Sequence, residues 1–113
     1  MPPTERWSDD IWIVRLQNEP AFSDELHPLL QRIGRDDVPP SIVIDLAEVT
    51  RINSSNLSQL LKLRKSATDH NVQLRVTSPS NAVWSVFLMT GLDKVFQFTQ
   101  DTATALAELQ LDE

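Results

Sequence analysis

The chain has 113 residues, of which 41% are hydrophobic and 23% are charged. This length fits one domain, and the composition supports a core without disulfide or metal cross-links. The formal charge of −6 disfavours nucleic acid and anionic lipid as partners. Cysteine is absent, which excludes disulfides, thiolate metal sites and cysteine nucleophiles from this chain.

Targeting and nucleotide-binding motifs are also absent from the sequence. The first ten residues have neither the cationic start nor the apolar run of a secretory signal. No apolar stretch approaches the roughly 20 residues of a membrane helix. We therefore expect a soluble, cytoplasmic protein without membrane insertion. The two glycines, Gly34 and Gly91, are too far apart for a phosphate-binding loop and too few for a dinucleotide-binding turn.

The first predicted elements are a strand and a helix. Ile11–Leu16 is short, β-branched and aromatic, which predicts a strand that is buried on at least one face. Apolar residues then recur at helical spacing from Phe22 to Ile33. This helix begins either with Ser23 as its N-cap or about one turn later, with Pro28 at its first position.

The middle of the chain predicts a central strand and a second helix. Ser41–Leu46 is a near-continuous apolar run, which is typical of a strand covered by helices. A polar break over Asn53–Asn56 follows. Leucines at helical spacing then predict a helix over Leu57–Ala67. Its other face carries Lys62, Arg64 and Lys65.

The last third predicts two further strands and two further helices. Strict alternation over Val72–Thr77 predicts a strand. The turn Ser78–Asn81 then starts a third helix, which Gly91 ends. Val95–Phe98 predicts a short last strand, and Asp101 begins a fourth helix. One side of this helix carries Ala103, Leu106, Ala107 and Gln110, with Leu109 beside them.

Strands and helices therefore alternate four times along the chain. Such alternation favours right-handed crossovers and a largely parallel sheet. We expect a single-domain α/β fold with about four strands and covering helices. Residues 11–110 are assigned to this domain, residues 1–10 to an N-terminal tail and residues 111–113 to a C-terminal tail.

The residues that acid–base and metal chemistry require are sparse and scattered. The two histidines, His27 and His70, lie in separate predicted helical regions, and no nucleophile–base pair is visible. His70 fits a structural role near the end of the second helix. Asp36 and Asp37 read as solvated loop charges, because a hard cation needs several more oxygen ligands. We expect no enzyme activity, no metal and no cofactor.

The three tryptophans suggest different environments. Trp12 lies within the first predicted strand and is expected in the core, whereas Trp7 lies in the predicted tail. Trp84 lies off the main apolar stripe of the third helix. It marks either a partner surface or a single exposed aromatic side chain, which is common on protein surfaces.

The segment Thr50–Leu57 carries the strongest candidate site, because it places several hydroxyl groups before a long helix. Ser54, Ser55 or Asn56 could cap this helix, and such a cap stabilises a helix by about 0.5 to 2 kcal/mol. A phosphate here would also fit the positive end of the helix. Capping and phosphorylation therefore both remain open for these residues.

Two separated motifs resemble the STAS domain of anti-sigma factor antagonists. The first is the strand, loop and leucine-rich helix that begin at Ser41 and pass through Asn53-Ser-Ser-Asn56. The second runs from Ser78-Pro-Ser-Asn81 to Thr90-Gly-Leu92 and on to Phe96. The alanine-rich stretch Thr102–Leu109 also resembles the last helix of that family. The resemblance covers nearly the whole chain from Trp12.

This resemblance implies a bacterial regulatory protein that binds an anti-sigma kinase and is switched by phosphorylation of Ser54. Family members read Asp-Ser-Ser-Gly or Asp-Ser-Ala-Gly in this loop, so Asn53 and Asn56 depart from the pattern by replacing the Asp and the Gly. The implied docking face comprises Asn53, Ser55, Asn56, Ser58, Lys62 and Lys65. One alternative is an unphosphorylated STAS scaffold or accessory subunit of a signalling or lipid-transport assembly. A small enzyme or ligand carrier is a third alternative. Oligomeric state is left open.

Overall fold

The computed structural model describes residues 4–35 and 37–111. Within these residues the chain forms five strands and four α-helices. The strands are β1 (Thr4–Arg6), β2 (Ile11–Gln17), β3 (Ser41–Glu48), β4 (Gln73–Thr77) and β5 (Phe98–Thr99). The helices are α1 (Ala21–Ile33), α2 (Ser54–Asp69), α3 (Asn81–Thr90) and α4 (Thr102–Leu111). No helix in this part of the chain is both long enough and apolar enough to span a bilayer.

The five strands form one sheet in the order β1-β2-β3-β4-β5. β1 is antiparallel to β2, and the other neighbouring strands are parallel. The predicted α/β class, the mostly parallel sheet and the central place of β3 are therefore confirmed. The apolar character of β3 fits its position, because Ile42, Ile44 and Leu46 are fully buried.

Helices cover both faces of the sheet. Right-handed crossovers between successive parallel strands place α1, α2 and α3 on the same face. The larger core lies on this face and includes Leu26 from α1, Leu60 from α2 and Phe87 from α3. A smaller cluster on the other face joins Val43 of β3 to Ala105 of α4. The sheet is therefore packed on both faces, and this packing positions the loops that connect its strands to the helices.

The sheet begins earlier than the sequence predicts. The proposed N-terminal tail contains β1, whose residues pair with Trp12 to Val14 of β2. Its polar sequence gives no strand signal, because it forms an edge strand that is held by backbone pairing and by an ion pair of 3.0 Å between Glu5 and Arg15. This strand raises the count from about four to five. At the other end, Leu111 closes α4, and residues 1–3, 112 and 113 lie outside the described residues.

The predicted start of α1 is wrong in both of its versions. The helix begins at Ala21, after the N-cap residue Pro20, and Pro28 lies inside it. Ser23 does not cap the helix. Instead, the Glu19 carboxylate accepts the Ser23 N–H at 2.7 Å and the Ser23 hydroxyl at 2.6 Å. This carboxylate takes the place of a side-chain cap, so the helix starts before the position that Ser23 would set.

The last strand and the last helix also differ from prediction. Leu92–Lys94 forms a 3-10 turn, and β5 is only Phe98–Thr99. The Asp101 cap of α4 is confirmed, because its carboxylate accepts the Thr104 N–H at 2.8 Å. Of the residues assigned to one side of α4, only Leu106 packs against the smaller cluster, because alanine occurs on several sides of this short helix and obscures its apolar side. Its buried residues are Ala105 and Leu109, whereas Ala103, Ala107 and Gln110 are exposed.

The third helix and two of the tryptophans take well-defined places. Ser80 caps α3 by accepting the Val83 N–H at 3.3 Å, and Gly91 ends it with a left-handed φ of 76°. Trp12 is buried, as predicted. Trp84 is half-buried and packs edge-on against Phe98, with 5.0 Å between the ring centroids. Trp84 is therefore a packing residue at the border of the larger core.

Candidate functional site

The loop between β3 and α2 lies at the edge of the sheet where the parallel strands end. Asn18, directly after β2, holds this loop through its side-chain amide. Its Oδ1 accepts the backbone N–H groups of Thr50 at 3.0 Å and Arg51 at 3.2 Å. Its Nδ2 donates to Thr50 Oγ1 at 2.8 Å. The start of α2 is therefore anchored to the neighbouring strand.

A reciprocal capping box fixes the N-terminus of α2. Asn53 is the N-cap residue, and its Oδ1 accepts the Asn56 N–H at 2.8 Å. The Asn56 Oδ1 accepts the Asn53 N–H at 3.0 Å. The expectation that Ser54, Ser55 or Asn56 is the cap is therefore wrong. The signal was present in the sequence as two asparagines three residues apart, the spacing of a Ser/Thr and Glu/Gln capping box.

The box also decides the position of Asn56. This residue belongs to the buried side of α2 and is only 2% exposed. Its Nδ2 makes no hydrogen bond of ordinary length with the described residues, although it lies close enough to the Glu19 carboxylate to act on it weakly. Asn56 therefore offers little exposed surface to a partner that covers α2.

Ser54 is the first residue of α2, and its side chain is exposed. Because Asn53 provides the cap, the Ser54 hydroxyl is not needed for it and makes no hydrogen bond with any described residue. The first turn of α2 contains no acidic residue. The positive end of the helix is therefore not neutralised by a carboxylate from its own first turn.

The implied docking residues divide between two sides of α2. The buried side is formed by Asn56, Leu60, Leu63 and Ala67. Ser58, Lys62 and Lys65 follow Ser54 at spacings of four, four and three residues, so all four lie on the opposite side, and all are exposed. We call Ser54, Ser58, Leu61, Lys62 and Lys65 the outer face of α2. Asn53 and Ser55 are exposed at its N-terminal end.

A polar network, which the sequence analysis missed, connects the starts of α1 and α2. Gln59 Nε2 donates to the Ser23 hydroxyl oxygen at 2.9 Å, and this hydroxyl donates to Glu19. Hydrogen bonds from the Ser23 hydroxyl and then from the Ser23 backbone hold the pKa of Glu19 below its usual value, and the Asn56 side chain adds a smaller effect. Its only sequence signal was the Glu19–Ser23 spacing of four residues.

A cleft of about 180 Å³ lies next to this network. It is lined by Asn18, Glu19, Arg51, Ile52, Asn53 and Asn56. The capping box therefore forms part of the wall of a small depression beside Ser54. The cleft and the free Ser54 hydroxyl group therefore occur together at the edge of the sheet where the parallel strands end.

The other candidate groups lie apart from this edge. His27 is exposed in the middle of α1, and His70 follows α2 with its Nδ1 2.8 Å from the Ser66 carbonyl oxygen. Asp37 pairs with Arg32 at 3.2 Å, whereas Asp36 lies outside the described residues. In residues 4–35 and 37–111, no three acidic or histidine side chains form a cluster that could hold a metal ion.

Three solved structures have a similar fold. Unphosphorylated SpoIIAA, an anti-sigma factor antagonist, is 15% identical with a TM-score of 0.77, over 95% of this chain and 94% of that chain. The phosphorylated form of SpoIIAA from Bacillus is 15% identical with a TM-score of 0.72, over 94% and 96% of the two chains. A serine-to-glutamate variant of Moorella thermoacetica RsbS is 19% identical with a TM-score of 0.75, over 96% of both chains.

The sequence itself gives the family. Residues 8–105 match the model of the STAS domain. This match begins just before β2 and ends within α4, so it includes the capping box and the outer face of α2. The chain belongs to the STAS domain family, and its fold resembles that of anti-sigma factor antagonists.

Proposed function

We propose that this protein is a bacterial anti-sigma factor antagonist that binds an anti-sigma kinase through the outer face of α2. Phosphorylation of Ser54 releases the kinase. The observation that carries this proposal is the free, exposed Ser54 hydroxyl at the start of α2. The capping box of Asn53 and Asn56 supports it further, because the helix keeps its cap when Ser54 is modified.

The chemistry of the switch is a phosphoryl transfer from ATP. The Ser54 oxygen forms a bond to the γ-phosphorus and loses its proton, and the bond to the leaving ADP breaks. The product carries about −1.5 to −2 charges at neutral pH. The N-terminus of α2 favours an anion by about 0.3 to 1 kcal/mol at an exposed position. The folded domain therefore accommodates the phosphate.

A docked partner responds differently to the same group. An interface that covers Ser54 must remove water from a doubly charged phosphate, and this desolvation costs several kcal/mol unless the partner supplies matched charges. Both the unphosphorylated and the phosphorylated forms of SpoIIAA resemble this chain in fold, with TM-scores of 0.77 and 0.72. This likeness supports a switch that acts on the contact surface and leaves the fold unchanged.

An unswitched STAS scaffold or accessory subunit is the second candidate. The neutral Asn53 beside Ser54 favours it, because a carboxylate at this position would be available to orient a kinase or the hydroxyl group, and an amide is not equivalent. A scaffold would use the same exposed surface without modification. The two candidates therefore differ in whether a negative charge at Ser54 changes partner binding.

Mass spectrometry of the phosphorylated peptides tests the proposal. The purified protein is incubated with the anti-sigma kinase of its own organism and ATP. We expect one phosphate on Ser54 that is lost in Ser54→Ala and retained in Ser55→Ala, its neighbour on the same turn. A chain that is not modified, or is modified only elsewhere, contradicts the switch and favours the scaffold.

A further inference from the structure

Charge is distributed unevenly along this acidic chain. From residue 51 to residue 69 there are four cations and one anion, a net charge of +3. The rest of the chain has six cations and fifteen anions, a net charge of −9. The positive segment consists of α2 and the loop before it. The helix that carries Ser54 is therefore a basic element in a protein that is acidic elsewhere.

Among these cations, Lys62 and Lys65 contribute little to the fold, whereas the Arg64 Nε donates to the Val95 carbonyl oxygen at 2.8 Å. Lys65 pairs with Asp69 at 2.9 Å, but the two side chains are 79% and 55% exposed, so water screens the pair and it adds little to stability. Lys62 forms no ion pair with any described residue. Lys62 and Lys65 are three residues apart on one helix, where like charges repel. Folding alone does not favour this arrangement.

An apolar side chain, Leu61, lies on the same side of α2 as Lys65. Leu61 is 38% exposed, although the other side of α2 offers a buried environment to leucines. It lies three residues after Ser58 and four before Lys65, so it belongs to the same face. A partly exposed leucine next to polar and basic side chains is compatible with a protein interface, in which apolar groups are bordered by polar groups.

We infer that the outer face of α2 docks on an acidic protein surface, with Leu61 at one border of the contact and with Lys62 and Lys65 facing carboxylates. This inference rests on the proposed function and adds the chemistry of the partner. A folded protein fits better than a nucleic acid, because the charge of −9 on the rest of the chain repels an extended polyanion.

The positive charges of the outer face give phosphorylation of Ser54 a second effect on binding. Ser54 and Lys62 are eight residues apart, which is about 12 Å along the helix. This distance exceeds the screening length of about 8 Å at physiological salt, so the effect is largest at low salt. At low salt a phosphate at Ser54 therefore weakens the positive potential that attracts the partner, in addition to blocking the contact surface.

Association kinetics with the purified anti-sigma kinase test this inference, in the absence of ATP and at 50 and 300 mM NaCl. The test variant is Lys62→Glu with Lys65→Glu. The control is Arg35→Glu with Lys94→Glu, which makes the same change in net charge at exposed positions outside α2. Circular dichroism verifies that both variants fold. We expect the association rate at low salt to fall at least about tenfold for the test variant and less than about twofold for the control.

The outcomes distinguish the two proposals. A wild-type rate that falls at high salt, together with the selective loss in the test variant, supports the acidic partner surface. If the kinase binds but both variants behave alike, or if neither salt nor substitution matters, the charge assignment is wrong, whereas the proposed binding of an anti-sigma kinase stands. If the wild-type protein forms no complex with the kinase, both proposals fail.

Discussion

At the scale of single residues, the capping box decides which side chains of the candidate site are free. Asn53 and Asn56 satisfy each other's backbone donors, and Asn56 is buried as a result. The hydroxyl groups of Ser54 and Ser55 are consequently not required for the helix start. A structural role and a candidate regulatory role are thus assigned to adjacent residues, and each can be tested without changing the other.

Substitution of the cap residue tests the structural role. Asn53→Ala removes the acceptor for the Asn56 N–H and should lower the free energy of unfolding by about 1 kcal/mol. Asn53→Asp keeps the acceptor and serves as the matched control, with stability close to the wild type. Urea denaturation at pH 7 measures both variants. Equal stability of Asn53→Ala and the wild type would show that the box does not hold the helix start.

The pKa of Glu19 reports on the network between α1 and α2. In the folded protein it is lowered, first by the Ser23 hydroxyl and then by the Ser23 backbone N–H. Since a lowered pKa means that the ionised form is favoured by folding, this contribution is present above the unfolded pKa and is lost as the pH falls through the folded value. Stability should therefore decrease on acidification below about pH 4.5.

Ser23→Ala tests this origin of the shift. The variant removes the side-chain hydrogen bond and keeps the backbone N–H, so the pKa of Glu19 should rise part of the way to its ordinary value. Nuclear magnetic resonance titration of the Glu19 carboxyl carbon measures it directly. A titration curve identical to that of the wild type would mean that the hydroxyl is not the main cause.

At the scale of elements, a strand or helix is predictable from sequence when its segment has a strong hydrophobic pattern or residues with a specific backbone role. The run Ser41–Leu46 identifies β3 because a central strand is buried on both faces. The ends of α3 are recognisable because Ser80 caps its start and Gly91 ends it in a left-handed conformation. The strand β1 has no such pattern, and the face of α4 is ambiguous because alanine occurs on several of its sides.

The predicted start of α1 is wrong for a different reason. Pro28 suggests a late start because proline lacks the N–H of a helix interior. The observed helix nevertheless includes it, since its apolar residues Phe22, Leu26 and Leu29 are buried in the core. Tertiary packing therefore outweighs a local penalty, and a sequence pattern does not reveal how large that packing contribution is.

This penalty predicts a stabilising substitution. Pro28→Ala supplies the missing backbone donor in the middle of α1 at an exposed position and should raise the free energy of unfolding by about 1 to 3 kcal/mol. Gln31→Ala, at an exposed position of the same helix, is the control and should change it by less than about 0.5 kcal/mol. Thermal and urea denaturation measure both. A destabilised Pro28→Ala protein would indicate that the proline ring has a packing role.

At the scale of the whole molecule, the topology places the helix starts at one edge of the sheet. Strands β2, β3 and β4 are parallel, and a helix follows each of them, so the N-termini of α1, α2 and α3 lie at the same edge. Ser54 therefore lies at the positive end of a helix and among the positive ends of its neighbours. The alternation in the sequence predicts this arrangement of elements.

The candidate site is less predictable from sequence than the fold. The resemblance pointed to Ser54. The exposed positions Ser58, Lys62 and Lys65 were predictable because they depend only on helical spacing. The resemblance did not reveal that Asn56 is buried or that Glu19, Ser23 and Gln59 form a network. Those features depend on distances between α1 and α2, which are separated in sequence and meet only in the folded chain.

The dissociation constant of the purified anti-sigma kinase for this protein tests the central claim most directly. It is compared for the wild type, Ser54→Asp and the control Ser85→Asp, which adds the same charge at an exposed serine of α3. We predict that Ser54→Asp weakens binding by about 100-fold, or about 2.7 kcal/mol, and that Ser85→Asp leaves it within about twofold. Equally tight binding by Ser54→Asp and the wild type would contradict the account.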